Sequence, residues 1–84
     1  MSENKIEERV KKLVGHVLKI DAKTVKDESH FVADLGAESI QSVELIAAFE
    51  EEFDVEMDED AALSVQTVGE AVEFIRKCVK EQHK

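Results

Sequence analysis

The sequence has no proline, tryptophan or tyrosine, only three glycines and a single cysteine among its 84 residues. One cysteine cannot form an internal disulfide, which fits a protein of the reducing cytoplasm. No apolar run approaches the roughly 20 residues of a membrane-spanning helix, and the N-terminus lacks the apolar stretch of a secretory signal. We therefore expect a cytoplasmic protein that does not insert into membranes.

Basic residues are missing from most of the chain. Between Lys26 and Arg76 there are 15 acidic residues and no lysine or arginine, so all 11 basic residues lie towards the two ends. Nucleic acid is excluded as an unaided partner, because its phosphates require clustered cations and its bases stack on aromatic rings. With a formal net charge of -9, the chain is expected to bind proteins with basic surfaces.

The length and hydrophobic content predict one small folded domain over residues 1–84. A chain of this size buries only about 60–65% of its unfolded surface, which leaves little room for a deep active site. Its hydrophobic fraction of 43% is too high for a disordered chain. We expect a monomer.

Apolar residues recur at helical spacing in three segments. The first predicted helix runs from Ser2, a plausible N-cap, to about Lys19, and the second from about Ser39 to Phe53. The third runs from Thr67 to about Gln82 and begins with a capping box of Thr67 and Glu70. A short helical turn is expected from Asp58 to Leu63.

Residues 20–38 form the long first connection of this predicted all-α, three- to four-helix bundle. Five apolar residues are expected to anchor the connection to the core: Ile20, Val25, Phe31, Val32 and Leu35. Gly36 can supply a turn just before the second helix.

The second helix has two apolar faces when its residues are placed at 100° intervals. The predicted core face consists of Leu45, Ile46, Phe49 and Phe53. The opposite face carries Ile40, Val43 and Ala47, with Glu44 and Glu51 on the same stripe and Glu50 at its edge. This face predicts docking to a partner with an apolar groove and a basic rim. Scattered surface apolar residues are the alternative.

Ser39 lies at the predicted start of the second helix. Free backbone N–H groups and the helix dipole favour an anion there, so a phosphoryl group on Ser39 would be stabilised. An ordinary N-cap serine is the alternative. A nucleophilic role is not expected, because no Gly-x-Ser-x-Gly motif is present and the nearest histidine, His30, has no recognisable orienting partner.

Alternating acids after the second helix resemble a calcium-binding loop only superficially. A loop that starts at Asp54 would have Glu59 instead of glycine at its sixth position and Val65 instead of glutamate at its twelfth. We expect weak divalent binding by this acidic patch and no dedicated metal site.

The stretch from Asp34 to Leu45, DLGAESIQSVEL, resembles the prosthetic-group attachment motif of the acyl carrier proteins. The core of that motif is Asp-Leu-Gly-Ala-Asp-Ser-Leu, followed by an acidic helix. The resemblance covers nearly the whole chain, since residues 6–12 are similar to the family's first helix and residues 31–35 to the end of its loop. Residues 50–54 and 67–68 resemble the end of its second helix and the start of its last.

The resemblance implies a carrier and not an enzyme. In this family a separate phosphopantetheinyl transferase uses coenzyme A and magnesium to attach 4′-phosphopantetheine to the serine that corresponds to Ser39. The thiol of this arm carries acyl groups as thioesters in fatty acid, lipid or polyketide biosynthesis. The positions implied to face acyl-transferring and acyl-modifying enzymes with basic docking patches are Glu38, Ile40, Val43, Glu44, Ala47, Glu51, Glu56 and Met57.

Two residues beside the serine depart from the family's pattern. Glu38 stands where the family has Asp, and the β-branched Ile40 stands where it usually has Leu. These changes suggest a specialised carrier. Two alternatives stay open: a carrier of aminoacyl or peptidyl groups, and a carrier-like acidic interaction module that is never modified.

Overall fold

The structure, a computed structural model, describes the backbone of residues 3–83 and the side chains of residues 5–83. Within these residues there are four α-helices: α1 (Glu3–Leu18), α2 (Ser39–Phe53), α3 (Glu59–Leu63) and α4 (Val68–Gln82). They form no strand, and their single β-type pairing is an isolated bridge between His30 and Thr67. The predicted all-α fold is confirmed. Ser2, the predicted cap of α1, lies outside the described residues.

Helices α3 and α4 begin at the predicted caps. Asp58 accepts a hydrogen bond from the backbone N–H of Asp60 at 3.0 Å. At the start of α4, the Thr67 hydroxyl accepts from the backbone N–H of Glu70 at 3.2 Å, and the Glu70 carboxylate accepts from the backbone N–H of Thr67 at 3.2 Å. These bonds satisfy N–H groups that have no partner within the helix.

The core lies where the apolar stripes of α1, α2 and α4 meet. Val10 and Val14 of α1 and Ile75 of α4 are completely buried. Burying a side chain of this kind contributes roughly 1.5–3 kcal/mol. The buried residues of α2 are the four predicted ones: Leu45, Ile46, Phe49 and Phe53.

The first loop is attached to the bundle mainly as predicted. Val25 and Phe31 are buried, while Ile20 and Leu35 are half-buried against the core. The loop also contains a short 3-10 helix, Ala22–Thr24, which the apolar pattern did not predict because it buries no residue.

The prediction that Val32 anchors the loop is wrong, since this side chain is 68% exposed. The backbone turns directly after Phe31, where the N–H groups of Asp34 and Leu35 both donate to the carbonyl of His30 at 3.0 Å. This turn leaves Phe31 and Leu35 in contact with the core and directs Val32 away from it.

Backbone hydrogen bonds join the middle of the first loop to the start of α4. Phe31 N–H donates to Gln66 O at 3.0 Å, and Gly69 N–H donates to Asp27 O at 2.8 Å. A Cβ atom at position 69 would lie 3.1 Å from the Asp27 carbonyl oxygen, so glycine permits this close approach. The loop that leads to α2 is therefore held by α4.

Candidate functional site

Ser39 is the first residue of α2, and its side chain is exposed. The N-cap position belongs to Glu38, whose backbone is extended with φ -86° and ψ 167°. The alternative that Ser39 is an ordinary N-cap serine is therefore excluded. Among the described residues the Ser39 hydroxyl has no hydrogen-bond partner.

The first turn of α2 is held together by its own residues. The Glu38 N–H donates to the side-chain oxygen of Gln41 at 2.9 Å, and the Ser42 N–H donates to the carbonyl of Glu38 at 3.0 Å. The N–H groups of Ser39 and Ile40, at the first two helical positions, have no carbonyl partner within the helix. Because these groups and the dipole favour an anion, the site fits a phosphodiester on Ser39.

Gln41 was not identified from the sequence. A capping box is usually recognised by Ser or Thr at the N-cap, and Glu38 gives no such signal.

The approach to α2 is a turn closed by Asp34. Its carboxylate accepts from the backbone N–H of His30 at 2.8 Å and lies 3.3 Å from His30 Nδ1. The backbone hydrogen bond from His30 lowers the pKa of Asp34 below its ordinary value. Gly36 then takes φ +70°, which confirms the predicted turn before the helix.

The structure places Asp34 beside His30, an orienting partner that sequence reasoning missed. The four-residue spacing of these polar side chains was the available signal. Within the part of the chain that is described, no hydrogen bond joins His30 to Ser39, so the two do not form a base–nucleophile pair.

The outward face of α2 contains the residues predicted to lie there. Ile40 and Val43 are 68% and 48% exposed. The exposed residues around them are Glu38, Glu44, Ala47 and Glu51. No ion pair is recorded for Glu44 or Glu51 among the described residues. The face thus combines apolar side chains with carboxylates that form no ion pair with the described residues.

Glu56 and Met57 differ in how far they continue this face. Glu56 is exposed, and its backbone is held by Gln82, whose amide accepts from Glu56 N–H and donates to Glu56 O, both at 2.8 Å. Met57 is half-buried against the core, and its N–H donates to the Glu50 carboxylate at 3.0 Å. Met57 therefore offers only part of its side chain to a partner.

A largely apolar cavity of about 430 Å³ lies between the first loop, α2, α3 and α4. Its wall includes Ser42, one turn after Ser39, and extends to Phe49 and Phe74. The exposed Val32 and Leu63 also line it. The sequence did not predict this cavity, because apolar helix stripes are equally what a tightly packed core requires.

Two classes of site are not found in the described part of the chain. Residues 3–83 contain no helix with the length and apolar character needed to cross a membrane. Among the described side chains, those of residues 5–83, no three from His, Cys, Asp or Glu are grouped so that they could hold a metal ion.

Comparisons with known proteins agree with this geometry. The family model described as the phosphopantetheine attachment site matches residues 8–75. The acyl carrier protein of Sinorhizobium fredii and acyl carrier protein AcpP of Rhizobium meliloti are each 56% identical over 72 residues, which span 86% of this chain and 92% of theirs. A solved structure from Mycobacterium tuberculosis assigned to the acyl carrier proteins has a TM-score of 0.81 at 26% identity, covering 86% of this chain and 96% of that one. The chain therefore belongs to the acyl carrier protein family, whose members are carriers with a covalently attached 4′-phosphopantetheine.

Proposed function

We propose that this chain is a monomeric, single-domain carrier of the cytoplasm that holds acyl intermediates on 4′-phosphopantetheine attached to Ser39. The pathways it would serve are fatty acid, lipid or polyketide biosynthesis. The observation that carries the proposal is the position of Ser39: an exposed hydroxyl on the first helical residue, with the capping role taken by Glu38.

The modification is a transfer from coenzyme A by a separate phosphopantetheinyl transferase. The Ser39 oxygen forms a bond to the phosphorus that bears pantetheine, and the bond from that phosphorus to the nucleotide phosphate breaks. The serine proton leaves to solvent or with the nucleotide. The N–H groups at the start of α2 favour the negative charge that then remains on the diester. When bound, the arm supplies the thiol that forms thioesters with acyl groups.

The outward face of α2 is proposed as the docking surface for the transferase and for acyl-handling enzymes. Apolar Ile40, Val43 and Ala47 would enter a partner's groove, and Glu44 and Glu51 would face its basic rim. Glu38, Glu56 and the exposed part of Met57 extend the surface at its ends. Rim charges of this kind raise the rate of encounter more than the affinity, which suits a carrier that must leave one enzyme for the next.

Intact-mass spectrometry tests the attachment. After incubation with coenzyme A, magnesium and a transferase, the wild-type chain should gain the mass of one phosphopantetheine, and Ser39→Ala should gain nothing. Ser42→Ala is the matched control, because Ser42 lies on the next turn of α2 and its hydroxyl makes only a 3.4 Å bond to Glu38 O. This variant should still be modified.

The same measurement on protein purified from its native host separates the alternatives. A chain that is unmodified both in the host and after incubation would overturn the proposal in favour of an acidic interaction module. If the arm bears aminoacyl or peptidyl groups, the attachment to Ser39 stands, but the proposed acyl cargo is wrong.

A further inference from the structure

Two helices in the described part of the chain begin with a reciprocal cap, and the two caps place their one carboxylate at different positions. At α4 the residue three positions after the N-cap is Glu70, whose carboxylate accepts from Thr67 N–H. At α2 the equivalent residue is Gln41, whose neutral amide oxygen accepts from Glu38 N–H at the shorter distance of 2.9 Å. In the helix that begins at Ser39, the third residue after the N-cap is therefore neutral.

The Gln41 bond fixes the backbone that directly precedes Ser39. The Glu38 N–H is held by Gln41, and the Glu38 carbonyl accepts from both the N–H and the hydroxyl of Ser42. No residue outside α2 is recorded as bonding to either group among the described residues. Gln41 therefore holds the Ala37–Glu38 peptide, and the Ser42 N–H holds the Glu38–Ser39 peptide. The placement of Glu38, the residue directly before Ser39, depends on this local cap.

The neutral amide also limits the negative charge around the hydroxyl. Helix residues 39–42 contain no acid, and Glu38 is the one carboxylate at the N-cap. A glutamate at position 41 would make the same bond but would place a second carboxylate beside a phosphodiester on Ser39. Like charges in one helical turn repel each other, so the holo-protein would lose part of the stabilisation that the helix start offers an anion.

We propose that Gln41 is a positioning residue for the modification of Ser39, holding the start of α2 in place without adding negative charge beside the phosphate. The inference rests on the proposed attachment to Ser39. Among the described residues, no hydrogen bond joins Gln41 to Ser39; Gln41 acts through the backbone N–H of Glu38, the residue before Ser39.

The test uses three variants of the full chain, each assayed for transferase kinetics by intact mass and for thermal unfolding of the apo- and holo-protein. Gln41→Ala removes the cap, and Gln41→Glu keeps the cap while adding charge. Glu70→Ala is the matched control, because it removes the equivalent cap from α4. Loss of either cap should lower the unfolding midpoint of the apo-protein by about 4–8 °C.

The kinetic readout separates positioning from stability alone. We expect Gln41→Ala to lower kcat for the transfer roughly five-fold, and Glu70→Ala to leave kcat unchanged despite a similar loss of thermal stability. Gln41→Glu should retain the apo midpoint and kcat in high salt, where charge is screened. In low salt its holo form should unfold at a lower temperature than the wild-type holo form.

The outcomes distinguish this inference from the proposed function. A wild-type chain that gains no mass would overturn both. If the wild-type chain is modified and Gln41→Ala matches it in kcat, or if Glu70→Ala is slowed as much as Gln41→Ala, the positioning role is wrong while the attachment to Ser39 stands. If the holo forms of Gln41→Glu and the wild type unfold at the same temperature in low salt, a charge at position 41 does not destabilise the modified protein, and that part of the inference is wrong.

Discussion

The two ends of α2 are built in opposite ways. At its start, the Ser39 end, the recorded hydrogen bonds of Glu38 are made by Gln41 and Ser42, residues of the same helix. At its finish, Phe53 is buried and the chain leaves the helix through Asp54 in the left-handed conformation, with φ +52°. The first end presents a hydroxyl, and the second anchors the helix.

Distant residues hold the Phe53 end. Arg9 of α1 donates to the Glu52 carboxylate at 2.8 Å and to the Glu52 carbonyl at 2.7 Å, and its guanidinium lies 4.5 Å from the centre of the Phe53 ring. His83 Nε2 lies 2.6 Å from Asp54 O. Glu52 therefore has a cationic partner on the chain, whereas none is recorded for Glu44 or Glu51 among the described residues. The comparison shows that one helix can be anchored at one end and carry, along its outward face, carboxylates that form no ion pair with the described residues.

The largest effect is expected from loosening the Phe53 end. Arg9→Ala removes the ion pair with Glu52, the bond to its carbonyl and the contact with the Phe53 ring, so it should lower the free energy of unfolding by about 1–2 kcal/mol. Thermal unfolding measures this loss. Lys12→Ala is the control and should change little, because Lys12 is exposed on the same helix and forms no ion pair with the described residues. Modification of Ser39 should proceed at the wild-type rate in both variants; a slowed Arg9→Ala would show that the two ends are coupled.

A smaller effect is expected on the outward face near the Ser39 end. Glu44→Lys reverses an exposed charge that is proposed to meet a basic rim, so the rate of loading by the transferase should fall about five-fold in low salt and recover part of the way as salt is added. Stopped-flow or mass-based kinetics measure the rate, and circular dichroism should show unchanged helix content. Glu28→Lys reverses an exposed charge of the first loop, outside α2, and serves as the charge-matched control. Equal loading rates for the two variants would remove Glu44 from the docking surface.

The smallest effect is expected from the turn that precedes the Ser39 end. Since the hydrogen bond from His30 N–H lowers the pKa of Asp34, the ionised carboxylate stabilises the folded state at pH values above its unfolded pKa. This stabilisation is lost as the pH falls through the lowered folded pKa. Asp34→Asn should therefore unfold at a lower temperature than the wild type at pH 7, and the difference should shrink as the pH drops below about 4.

Glu28→Gln is the control for this pH dependence, because it removes an exposed carboxyl of the same loop that forms no hydrogen bond within the described part of the chain. A difference between Asp34→Asn and the wild type that stays constant from pH 7 to pH 3 would show that ionisation of Asp34 does not stabilise this turn.

Much of the fold was predictable because its signals are local. Phe49 and Phe53 share one side of α2 at helical spacing, and both are buried. Thr67 and Glu70 are three residues apart and form the predicted capping box. The exposed side of α2 follows from the same periodicity, so the positions of Ile40 and Val43 were also predictable.

The sequence by itself thus determined the helices, the buried side of α2 and the candidate hydroxyl, because each depends on residues within one or two turns of each other. Tertiary structure decided what distant segments do to one another. The turn after Phe31 exposes Val32, the first loop leaves a cavity where it meets α2, α3 and α4, and Arg9 reaches Glu52 across 43 residues. These features depend on how the helices meet in space, and no spacing along the chain encodes that geometry.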